Sequence, residues 1–136
     1  MSVQTIVIGN INEKARPTVR LGSLPQVSVW QFAGAFLDES DLSAQGIQGL
    51  DLNRAVERAA IELAKKVSGR QVKVEVVMEP LMPRIAFPIE KIVPLIQAIG
   101  ENASASVEPG PGKIIITTWW KGKHVGVDAV GIGGSI

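Results

Sequence analysis

The chain has 136 residues, a net charge of +1, and 46% hydrophobic against 20% charged residues. That length supports one domain with its own core, and the apolar content excludes a disordered chain. With no cysteine and one histidine, His124, the sequence excludes disulfides, thiolate metal sites, cysteine nucleophiles and a histidine zinc cluster.

The balanced charge argues against a dedicated nucleic-acid binder, which carries a basic excess. No run approaches the ~18 apolar residues of a membrane span, and the first residues lack the basic start of a signal peptide. A soluble, cytoplasmic protein is expected.

Val3 to Ile8 is a β-rich run closed by Gly9-Asn10, which predicts a strand. Asn12 to Pro17 reads as a loop, and Thr18 to Leu21 as a candidate second strand. Val27 to Leu37 begins with strand alternation. Val29, Phe32, Ala33 and Phe36 then repeat at helical spacing, so a strand passing into a helix is predicted. Asp38 to Gly49 reads as a loop or linker.

Asp51 is placed to cap a helix. Leu52, Val56, Ala59, Ala60, Leu63, Ala64 and Val67 follow at helical spacing, with Lys65 and Lys66 suiting the final turn and Gly69 ending it. Val72, Val74 and Val76 alternate with Lys73, Glu75 and Val77, which predicts a half-buried strand. Glu79 to Pro83 reads as a proline-broken loop, and Pro88 suits the first turn of a second helix. Ile89, Ile92, Leu95, Ile96, Ile99 and Ala103 form its apolar stripe, and Pro94 should kink it or tighten its first turn. Glu108 to Gly112 is a turn, Lys113 to Trp120 a strand, Lys121-Gly122-Lys123 a hairpin loop, and His124 to Val127 the returning strand. Asp128 to Gly134 then reads as an acidic, glycine-rich turn.

The order helix, strand, helix, strand, strand predicts an α+β two-layer sandwich, a mixed or antiparallel sheet with helices on one face. Residues 1–49 read as an N-terminal strand and helix extension or linker, and residues 50–136 as the α/β unit.

Two short constellations carry chemistry. In the Asp128 turn, a carboxylate beside glycines lets a ligand approach the backbone and accepts from an amino group. In Gly100-Glu-Asn-Ala103, Asn102 offers an amide oxygen to a magnesium ion held mainly by phosphates and water. Each has a plainer reading: a glycine-rich hairpin or tail, and an ordinary asparagine at a helix end. His124 beside the hairpin reads as a surface strand residue, because no base or orienting carboxylate stands near it in sequence. On the strand, Trp119 and Trp120 point to opposite faces, one into the core and the other outward as a candidate partner contact.

Leu50 to Glu57, Val72 to Val76, Ile92-Val-Pro-Leu-Ile-Gln-Ala-Ile-Gly-Glu-Asn-Ala103, Gly112 to Ile116 and Val125-Gly-Val-Asp-Ala-Val-Gly-Ile-Gly133 together resemble the ATP-binding domain of sensor histidine kinases. That family shares its fold with gyrase and the mismatch-repair ATPases. The resemblance implies ATP or ADP with magnesium as ligand and a place in bacterial two-component-type signalling. It matches Asn102 to the asparagine that helps hold magnesium and Asp128 to the aspartate that reads the adenine amino group. Gly131 and Gly133 match the glycines that let the adenine pocket close.

The sequence also departs from the family. Ala98 stands one turn before Asn102, where the family has asparagine or glutamate. Ala105 stands where a basic residue is usual, and Asp128 and Gly131 are separated by two residues instead of one. A lid loop, a second glycine-rich box and the following strands do not appear in these 136 residues, which would leave the phosphate side open to water. The expectation is a truncated or degenerate ATP-binding domain with weak or lost nucleotide binding and no autonomous kinase activity. The alternative is a non-enzymatic interaction module on the same scaffold, working with a protein partner or as a homo-oligomer.

Overall fold

A computed structural model of the chain describes residues 2–9, 27–37, 49–105, 107 and 111–133. The expected strand at residues 18–21 and the loops at 38–48 and 108–110 lie outside the described residues. The elements are β1 (Ser2–Gly9), β2 (Val27–Ala33), β3 (Ala35–Leu37), α1 (Leu52–Val67), β4 (Val72–Val77), β5 (Arg84–Ala86), α2 (Ile89–Ala105), β6 (Gly112–Lys121) and β7 (His124–Gly133).

These elements build an α+β fold. The main sheet has five strands in the order β2-β1-β7-β6-β4, and β3 and β5 form a separate two-stranded sheet. The main sheet is mixed: β1 with β2 and β4 with β6 are parallel, while β7 runs antiparallel to both β1 and β6.

Helix α1 forms where the sequence predicts it. Asp51 Oδ1 accepts from the backbone N–H of Asn53 at 3.1 Å and of Arg54 at 3.4 Å, satisfying donors that the helix itself leaves without a partner. Its buried face is Leu52, Ala55, Val56, Ala59, Ala60, Leu63 and Val67. Ala55 thus takes the place expected for Ala64, which is exposed.

Helix α2 buries Ile92, Ile96, Ile99, Gly100, Ala103 and Ser104. It continues through Pro94, whose ring lies on the exposed side. The helices cross closely at Gly100, where a Cβ would stand 2.5 Å from Leu63 Cδ2. Their apolar faces meet Ile6, Ile8, Ile114, Ile116, Val125, Val127 and Ala129 in one core. That core spans both sides of residue 49, because β1 lies inside the sheet, between β2 and β7. Residues 2–9 are therefore part of the domain's centre, not an extension of it.

Three predicted features differ. Val27 to Leu37 is extended throughout and contains no helix. Gly34 divides it into two strands and donates its N–H to Gly9 O at 2.8 Å. β5 falls inside a stretch that reads as irregular. It is held by the reciprocal Leu50 and Ile85 backbone bonds of 2.7 and 3.2 Å and by pairing with β3. The expected turn from Asp128 is instead the second half of β7, which runs to Gly133. The alternation of Val127, Ala129 and Gly131 against Asp128, Val130 and Ile132 continues the strand, and β1 and β6 satisfy its backbone on both sides.

Candidate functional site

The sheet register fixes where each candidate residue points. Thr118 is 2% exposed and faces the helices: its Oγ1 donates to Asn53 Oδ1 of α1 at 2.7 Å. Thr117 and Trp119 therefore face the opposite side. Across β6, β7 and β1, the residues on that side form three rows: Ile115, Val130 and Val3; Thr117, Asp128 and Thr5; Trp119, Gly126 and Val7. Asp128 thus lies in mid-strand on the sheet face away from both helices.

Its surroundings explain its state. Trp119 Nε1 donates to Asp128 Oδ1 at 3.0 Å, and the indole lies across Gly126. Only a glycine leaves room for the ring there: a Cβ at residue 126 would come within 2.7 Å of Nε1 and closer to two ring carbons. Gly126 and Trp119 are therefore one unit, with Asp128 holding the ring's polar edge. The sequence contains both residues but gives no hint of the pairing, because they meet only through the strand register.

Asn102 lies elsewhere. It is exposed on α2, on the same helical face as Ala98 and Ala105, which lie one turn before and one turn after it. That face offers an ion a single neutral amide between two methyl groups, a weak donor set for magnesium, which is usually held by carboxylates together with phosphate oxygens. Among the described residues, no group of three or more histidine, aspartate or glutamate side chains is placed to hold a metal ion.

Gly131 is buried inside β7, paired with Ser2 and Ile114, and Gly133 pairs with Gly112 at the exposed strand end. Both glycines sit in the ladder and do not form a loop around a ligand. The four expected site residues are thus not brought together. The helix layer carries Asn102, the opposite sheet face carries Asp128, and the sheet itself lies between them. These positions do not fit one magnesium-nucleotide site.

The tryptophans also depart from expectation, since neither enters the core. Trp119 is half-buried on the sheet face away from α1 and α2. Trp120 lies on the helix side of the sheet, 43% exposed, and donates Nε1–H to Gly122 O at 2.9 Å. His124 is half-buried at the start of β7, with its ring against Gly9.

One polar arrangement was not visible in the sequence. Thr118 Oγ1 also accepts from Glu79 N at 2.8 Å, and Asn53 Nδ2 donates to Glu79 O at 2.8 Å. Asn53, Thr118 and the Glu79 backbone close a triangle that ties α1, β6 and the segment after β4 together. Each member satisfies the next, so the triangle reads as structural.

No helix among the described residues is long and apolar enough to cross a membrane. Compared with known protein families and with curated proteins, the sequence matches none.

Proposed function

We propose that the chain is a non-enzymatic protein-interaction module on a histidine-kinase-ATPase-like scaffold that has lost adenine-nucleotide binding. The observation that carries this reading is the placement of Asn102 and Asp128 in different layers, with the sheet between them. A nucleotide site needs its base-reading carboxylate and its magnesium ligand around one ligand. Here Asp128 is held by Trp119, and Asn102 faces water.

The order α1, β4, α2, β6, β7, with the three-residue β5 between β4 and α2, supports the scaffold part of the proposal, since its longer elements follow the order of that family's nucleotide-binding half. The interaction part is supported by the sheet face away from α1 and α2. Val3, Ile115, Val130 and Ile132 form a half-buried apolar patch there, next to the polar row of Thr5, Asp128 and Thr117. Surfaces of that kind are commonly covered by a partner or by a second copy of the chain.

Titration calorimetry with magnesium-ATP and magnesium-ADP tests the first part, and light scattering after size exclusion tests the second. The expected outcome is no saturable heat at millimolar nucleotide and a mass above one protomer, which Ile115→Lys on the face away from α1 and α2 lowers. A clean monomer that binds nucleotide, with binding weakened by Asp128→Asn or Asn102→Ala, would refute the reading.

A further inference from the structure

The two helices run parallel, side by side. Lys66 Nζ in the last turn of α1 lies 3.0 Å from Glu101 Oε1 near the end of α2, so both first turns open at the same end of the domain. A cleft of about 1020 Å³ lies there. Its cationic wall is Arg54 and Arg58 of α1 and Arg84 of β5, and its apolar wall is Phe87, Pro88 and Ile89. Arg84 is anchored by a 3.2 Å bond from Nη1 to Gly49 O.

Among the described residues, ion pairs join Lys65 to Glu62, Lys66 to Glu101 and Lys113 to Glu75, and none engages these three arginines. The positive ends of two helix dipoles add to the same field.

We propose that this cleft docks an acidic, extended peptide segment of a partner protein. The guanidinium groups would receive its carboxylates, and an intervening apolar side chain would rest on Phe87 and Pro88. The spacing fits. Arg54 and Arg58 are four residues apart on a helix, a rise of about 6 Å. Alternate residues of an extended chain are about 6.7 Å apart. Carboxylates at positions i and i+2 of the peptide therefore match the two arginines, each able to take a carboxylate by a two-pronged hydrogen bond.

A compact polyphosphate fits less well. Asp51 caps α1 and occupies the amides of Asn53 and Arg54, and Glu90 lines the cleft at the start of α2. Both carboxylates repel a dense anion where the helix dipoles would otherwise hold it, whereas a peptide passes between them and offers backbone N–H groups to them. The cleft is on the helix side of the domain and is independent of any partner on the opposite sheet face.

Fluorescence anisotropy tests it, using the full chain and a fluorescein-labelled peptide of alternating glutamate and leucine. Saturable binding is expected, weakened at least about tenfold in Arg54→Ala/Arg58→Ala and in Arg84→Ala. It should weaken further as salt rises from about 50 to about 500 mM. The charge-matched Lys121→Ala/Lys123→Ala variant, altered at a hairpin that does not line the cleft, should bind as the parent does. Circular dichroism melts confirm that each variant is folded, which exposed positions make straightforward. Three results would overturn the proposal: no binding at millimolar peptide, an equal loss in the hairpin variant, or ATP or pyrophosphate binding more tightly than the peptide through the same arginines.

Discussion

Replacing Gly126 by alanine tests the pairing of that residue with Trp119. The added Cβ would lie 2.7 Å from Nε1, while ordinary contact begins near 3.4 Å, so the indole must retreat by at least 3.4 − 2.7 = 0.7 Å. A retreat of that size takes Nε1, now 3.0 Å from Asp128 Oδ1, beyond useful hydrogen-bonding distance. A hydrogen bond to a charged acceptor contributes about 1.5 kcal/mol. Repacking a ring that is free to lift on one side costs about 1 kcal/mol more. Removing a glycine from a strand interior returns about 0.5–1 kcal/mol. The net expectation is a loss of about 1.5–2 kcal/mol, or about 5–7 °C in Tm for a chain of this length. Urea melts give the stability, and the near-ultraviolet dichroism of the tryptophans reports the ring. In a Trp119→Leu background the same substitution should become neutral or stabilising, because only the strand gain remains. Unchanged stability and an unchanged tryptophan spectrum in Gly126→Ala would refute the reasoning.

Three further outcomes follow from the packing. Thr118→Val removes the hydroxyl at the centre of the Asn53 and Glu79 triangle, leaving a half-buried amide oxygen and N–H without that partner. A loss of about 1–3 kcal/mol in chemical denaturation is expected, and a change under 0.5 kcal/mol would show the triangle to be incidental. Asp51→Ala removes the α1 cap and should cost about 0.5–2 kcal/mol, with Asp51→Ser recovering most of it in thermal melts. Leu63→Ala opens a cavity against Gly100 and should cost about 2–5 kcal/mol by urea melting, partly restored when Gly100→Ala is added. Additive effects of the last pair would contradict the close helix crossing.

The two helices, β4 and β6 were legible because burial imposes a period on them. Leu52, Val56, Ala59 and Leu63 can only be a helix face, and Val72, Val74 and Val76 only a strand face. The α+β architecture followed from their order. Gly34 hid the end of β2, since the apolar residues around it satisfy both periods and only the bond to Gly9 selects extended backbone. β5 is three residues between two prolines, too short to show a period at all. The glycines at positions 131 and 133 suggested a turn, yet a strand with partners on both sides tolerates glycine in the ladder. The candidate site failed to assemble for the same reason. Once β7 continues straight, alternation sends Asp128 to the face opposite the helices. The arginine cleft lay beyond sequence reasoning because Arg84 joins Arg54 and Arg58 only through the pairing of β5 with Leu50 and β3.

The position of β1 sets a constraint on the order of folding. Ile6 pairs with Val127, a separation of 127 − 6 = 121 residues, and no described pairing of β1 other than that with β2 can form earlier. On a ribosome, β1 and β2 would emerge long before β7 exists, and a two-stranded pair alone is only marginally stable in water. A pairing this distant in sequence also slows folding, because the loop must close before any contact rewards it. The same geometry means that a fragment starting at residue 50 would carry a bare β7 edge, open to pairing with any free strand. The first nine residues thus serve as the seal on the sheet, and the domain stays vulnerable to association until they are in place.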